Sequence, residues 1–141
     1  MKWIKYFFDN GGTLVAGSDT AFIYALFGFA LIRELELFQE AGIHPIDIIK
    51  IATTNAHKTL GNIELSNGIR KDAPADLAII DGNPLDNFKV MYGTGIQSYS
   101  EEGLSITQCG GVQWSIKNGI IFDCKKLLHE VRDYVESQKG E

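Results

Sequence analysis

Trp3, Ile4, Phe7 and Phe8 fall at helical spacing, and Gly11-Gly12 stops that turn. The next four residues, Thr13-Leu14-Val15-Ala16, are apolar and partly β-branched, the composition of a short strand covered on both faces. Gly17-Ser18-Asp19-Thr20 breaks it, and the order of helix, glycine turn, buried strand and polar turn predicts a parallel α/β unit. From Phe27 to Ala41, Phe27, Leu31, Leu35 and Phe38 recur every three or four positions against Arg33, Glu36, Gln39 and Glu40, which predicts an amphipathic helix ended by Gly42. A second helix is predicted from Pro45, with Asp47 in its first turn and Ile48, Ile51, Ala52, Ala56, Thr59 and Leu60 as its buried stripe, closed by Gly61.

Beyond Gly61 the pattern changes, and a boundary near Gly61 to Gly68 separates an α/β part from a β-rich part. Asn67-Gly68 is a turn dipeptide, Leu77 to Ile80 a short strand, and Asp81-Gly82-Asn83-Pro84 a dense turn. Val112 to Ile116 alternates with period two, Lys117-Asn118-Gly119 is a hairpin turn, and Ile120-Ile121-Phe122 is the returning strand. Lys125 to Gln138 predicts an amphipathic helix with Leu127, Leu128, Val131, Tyr134 and Val135 on one side, whereas Asp86 to Gly111 is weakly patterned and is expected to be loop-rich.

Composition narrows the function classes. Hydrophobic residues make up 45% and charged residues 22% of 141, which disfavours disorder and calls for a packed core. The net charge of −5 leaves nucleic-acid binding to a local basic patch, and the densest basic spots, Arg70-Lys71 and Lys125-Lys126, are isolated pairs. The apolar run from Ala21 to Ile32 falls short of the ~18 residues of a membrane span and meets Arg33 and Glu34 at once, so a soluble chain without membrane contact is expected. Lys5 and Asp9 interrupt the N-terminal apolar stretch, which argues against a targeting segment and for a cytoplasmic location. Cys109 and Cys124 have no zinc-site spacing and are expected as reduced thiols.

Four motifs in order carry a resemblance: Gly17-Ser18-Asp19-Thr20 after a buried strand, Ala52-Thr53-Thr54-Asn55-Ala56 before Leu60-Gly61, Ala75 to Leu85, and Ile116 to Ile121. Together they resemble the C-terminal end of the metal-dependent amidohydrolase superfamily, most of all its imidazolonepropionase-like and prolidase-like branch. The resemblance implies an α/β fold class. Residues 1–64 would close a TIM-type (β/α)8 barrel with its last β/α unit, residues 65–124 would form part of a composite β-sandwich, and residues 125–141 a terminal helix. It implies hydrolysis of C–N bonds by a metal-activated water, with Asp19 at the end of the last barrel strand as proton shuttle and metal contact. The chemistry is general: a divalent metal lowers the pKa of bound water to ~7, and a nearby carboxylate takes the remaining proton and returns it to the leaving amine.

The departures are equally informative. A whole barrel takes ~250 residues, and the family's His-x-His pair and later histidines are missing. His44, His57 and His129 lie too far apart in sequence for HxH or HxxxH geometry. Asp72 and Asn67-Gly68 stand where the family favours glycine and Gly-Ser. Taken without context, Asp19 is a helix cap or Asx turn, Ser18 and Thr20 are turn hydroxyls, Asp76 and Asp81 are turn and strand-end carboxylates, and Trp114 is hairpin packing. The expectation is therefore a hydrolase portion that is inactive alone and binds no metal by itself. Its cofactor, a divalent metal with zinc foremost, would belong to the complete enzyme. Its partner would be the missing N-terminal barrel portion or a partner chain, with exposed apolar surface driving homo-oligomers. The alternatives are a non-catalytic assembly unit and one half of a split hydrolase.

Overall fold

A computed structural model describes residues 1–63, 68–100, 103 and 105–139, so the Asn67 half of the expected Asn67-Gly68 turn lies outside the described residues. The chain divides into two units, residues 1–74 and 75–141.

In the first unit α1 (Lys2–Asp9) forms at the first apolar repeat, and the Asn10 side-chain amide donates to the Tyr6 carbonyl at its end. The predicted helix from Phe27 begins later, as α2 (Ala30–Glu40), because Gly28 has a positive φ and residues 27–29 form a turn. α3 (Pro45–Ala52) starts where Pro45 suits the first helical position, with the His44 Nδ1 accepting from the Ile46 N–H at 3.4 Å. The single helix expected to run on to Leu60 is broken at Thr53 (φ −122°, ψ −83°), and α4 (Thr54–Thr59) follows. The Thr53 hydroxyl donates to the Ile49 carbonyl at 2.6 Å, a side-chain bond that competes with the helical ladder and bends the chain there. Ile32, Leu35 and Phe38 of α2 close on Ile48 and Ile51 of α3, with Ile43 buried in the link between them.

The barrel unit expected over residues 1–64 is not there. Thr13 to Ala16 pairs with no strand among the described residues, although its burial alternates with period two, Leu14 and Ala16 half-buried and Thr13 and Val15 exposed. Every strand pair in the described sheets is antiparallel, and an isolated parallel bridge joins only Thr20 to Phe22. A covered parallel strand needs strand neighbours on both edges, and the described residues supply none to Thr13–Ala16.

The second unit is a mixed arrangement of two small antiparallel sheets. β1 (Leu77–Asp81), β4 (Gly111–Lys117) and β5 (Ile120–Asp123) form one sheet in the order β1-β4-β5, and β2 (Ile96–Ser100) with β3 (Ser105–Cys109) forms the other. The predicted Asn118-Gly119 hairpin is present, both residues at positive φ. The stretch expected to be loop-rich holds β2, β3 and a 3-10 turn at Phe88–Met91, whose Phe88 and Val90 are the buried apolar side chains among the described residues of this unit. In β4 the register slips between Ile79 and Ile80 of its partner, leaving Gln113 unmatched as a bulge. α5 (Cys124–Gln138) is capped by Asp123, whose carboxylate accepts from the Lys126 N–H at 2.9 Å. Among the described residues no helix is long and apolar enough to cross a membrane.

Asp76 ties the hairpin to β1. Its Oδ1 accepts from the Asn118 N–H at 2.8 Å and its Oδ2 receives the Lys117 ammonium. Asp76→Ala should destabilise the second unit by about 1.5–3 kcal/mol, the range for hydrogen bonds to a charged group. Asp76→Asn, which can still accept from Asn118, should cost less. Chemical denaturation of the three proteins checks this, and equal midpoints for wild type and Asp76→Ala would rule it out.

Candidate functional site

Asp19 lies on an exposed turn built from the residues around it. Its φ is +45°, a left-handed angle that aspartate tolerates, and Ala21 (+79°) and Tyr24 (+64°) are positive too, at greater steric cost. The turn is held by hydrogen bonds from Phe22 N to the Asp19 carbonyl (3.2 Å), Ala25 N to the Phe22 carbonyl (2.9 Å) and Ala21 N to the Ala25 carbonyl (3.2 Å). The hydroxyls of Ser18 and Thr20 bond each other across Asp19. Both are thereby committed as turn groups, and the Asp19 carboxylate is left exposed with no side-chain partner among the described residues. A carboxylate presented in this way can take up and hand back a proton, but it brings no second group to bind or polarise a substrate.

The other candidate groups do not converge on Asp19. His44 caps α3, and His129 is exposed on α5, 3.9 Å from Asp133 one turn along. His57 is half-buried at the end of α4 with its Nδ1 enclosed and unpartnered. Cys109 is exposed at the end of β3, Cys124 opens α5, and both are reduced. Among the described residues no three His, Cys, Asp or Glu side chains gather closely enough to hold a metal ion. The described residues therefore do not by themselves fit the divalent metal implied by the resemblance. An open groove of about 520 Å³ in the first unit is lined by Trp3, Tyr6, Phe7, Asn10, Gly11 and Gly12, among which the Tyr6 phenol is the one ionisable group.

No protein-family model, curated protein or solved structure matches the chain. The family resemblance thus stands on the order of the four motifs alone.

Two features of the site escape a motif reading. One is the hydroxyl pair across Asp19. The other is Asn55, whose side-chain Nδ2 donates to the Leu14 carbonyl at 3.1 Å, 41 positions away in sequence. Asparagine disfavours helix interiors, so Asn55 inside a predicted helix was the available signal of a bond made elsewhere.

Beside the turn the surface is apolar and uncharged. Phe22, Ile23, Leu26 and Phe27 are each two-thirds exposed or more, and Tyr24 is 99% exposed. Among the described residues eight apolar side chains are buried, six in the first unit and two in the second, a small yield for a chain with 45% hydrophobic residues.

Proposed function

We propose that this chain is a portion of a metal-dependent amidohydrolase acting on C–N bonds, to which it contributes Asp19 as the group that accepts and returns the proton. The observation that carries the reading is the presentation of Asp19, an exposed carboxylate on a hydrogen-bonded turn, inside an ordered series of motifs resembling that superfamily. The metal ligands are not among the described residues, so no step is derived through the metal. They would come from polypeptide outside this chain.

The apolar surface around Asp19 supports the same reading, because large exposed apolar areas mark surfaces that another polypeptide covers. It also supports one half of a split hydrolase, and self-association of the isolated chain would follow from that surface. The DNA upstream of the Met1 codon separates these cases. A continuous frame encoding a His-x-His pair supports one longer enzyme, and a neighbouring gene encoding it supports a split enzyme. The absence of both would overturn the hydrolase reading and leave a non-catalytic assembly unit.

A further inference from the structure

We infer that Asn55 is a positioning residue that holds the segment presenting Asp19. The inference rests on the proposed function only for the purpose of Asp19; the tether itself is a matter of geometry.

Thr13 to Ala16 has no strand partner among the described residues, so no ladder fixes its backbone. The Asn55 amide supplies a substitute, a part-buried bond of 3.1 Å to the Leu14 carbonyl. Asn55 reaches that carbonyl from α4, a six-residue helix set apart from α3 by the non-helical Thr53. An asparagine inside a helix costs a few tenths of a kcal/mol in propensity, which the bond to Leu14 offsets. Five residues after Leu14 the chain is fixed again, by the Ser18–Thr20 hydroxyl pair and the Phe22 N–H on the Asp19 carbonyl. The segment is thus pinned upstream by Asn55 and downstream by the turn, and the direction of the carboxylate depends on both. The Ser18 and Thr20 hydroxyls bond each other, and the Asp19 carboxylate has no side-chain partner among the described residues.

Nuclear magnetic resonance on the isotope-labelled full chain tests this. Wild type should show a coupling through the hydrogen bond between the Asn55 side-chain nitrogen and the Leu14 carbonyl carbon. Asn55→Ala should abolish it, shift or split the amide signals of Ser18, Asp19 and Thr20, and speed amide exchange at Phe22 roughly tenfold, the worth of one such bond. Signals of the buried residues of α2 and α3 should stay in place. Asn55→Gln, which keeps the donor, should restore most of the wild-type pattern, and Thr54→Ala, whose hydroxyl bonds only the Lys50 carbonyl at 3.3 Å, should leave Ser18 to Thr20 unmoved. If Asn55→Ala does not fold, Asn55→Asp decides, being the same shape without the N–H. Unchanged signals at Ser18 to Thr20 in the donor-less variant, or an equal disturbance by Thr54→Ala, would overturn the inference. These readouts need no catalysis, so a failure of the hydrolase reading, seen in turnover of an Asp19 variant, is a separate result.

Discussion

Asp19→Asn should lower turnover of the proposed hydrolase, once completed by its partner polypeptide, by about 10²–10⁴-fold, the usual contribution of a general acid–base group, while leaving the fold of this chain intact. The reason for expecting so clean a separation is structural. Asp19 is exposed and its side chain has no hydrogen bond or ion pair to lose among the described residues. Asparagine has the same shape and shares aspartate's tolerance of the left-handed angle at φ +45°. A carboxamide cannot take up a proton near neutral pH, so the loss should fall on kcat with KM little changed. Thermal unfolding of Asp19→Asn should stay within about 0.5 kcal/mol of wild type, as for other exposed sites. Turnover within twofold of wild type would remove Asp19 from the mechanism.

Gly95→Ala should be the most damaging conservative change in the second unit. Gly95 has φ +72°, where an L side chain costs about 1–2 kcal/mol. A Cβ at Gly95 would also stand 2.4 Å from the Cys109 carbonyl oxygen and 2.8 Å from that of Gly110, both backbone atoms of the neighbouring segment. Those carbonyls have little room to retreat, because Ile96 pairs with Cys109 and the Lys125 ammonium donates to the Gly110 carbonyl at 2.9 Å. The combined loss should exceed about 2 kcal/mol, which for a unit of this size lowers the melting midpoint on the order of 10 °C or more. Gly119→Ala is the matched control: φ is +79°, but nothing lies within 4 Å of the added carbon, so only the backbone term applies. Melting curves followed by circular dichroism should rank Gly95→Ala well below Gly119→Ala. Equal midpoints would mean that the space between Gly95 and the Cys109 carbonyl admits a methyl group without cost.

Local elements were legible wherever a periodic stripe or a turn dipeptide coincided with a cap. Pro45, Asn118-Gly119 and the Leu77, Val112 and Ile120 strands are of this kind, and the fold keeps them. The β2–β3 hairpin was hidden because its apolar residues do not alternate: Ile96 and Tyr99 differ in parity, as do Ile106 and Cys109. Their agreement appears only across the pair, Ile96 opposite Cys109 and Tyr99 opposite Ile106. The break at Thr53 was hidden by an apolar stripe that continues in phase on both sides of it. Thr13 to Ala16 failed for the opposite reason: its composition is right for a covered strand, but pairing is a property of neighbours that a local window does not contain. At the site, the motif pointed to Asp19, whereas the bonds of Asn55, Ser18 and Thr20 that fix its surroundings depend on contacts that no local pattern of residues encodes.

The unmatched Gln113 has a consequence for how the three-stranded sheet divides its apolar side chains. In an unbulged strand of the same sequence, Val112, Trp114 and Ile116 would all project from one side. With the bulge, Trp114 lies across from Ile79 and Ile116 across from Leu77, while Val112 is transferred to the opposite side with Ile80. One unmatched residue thus lets a strand whose apolar residues all share one parity present them on both faces. Excising Gln113 would therefore leave Ile79 opposite Trp114 and Ile80 opposite Val112 in an unbroken register, removing the local kink while keeping the division of apolar side chains between the two faces.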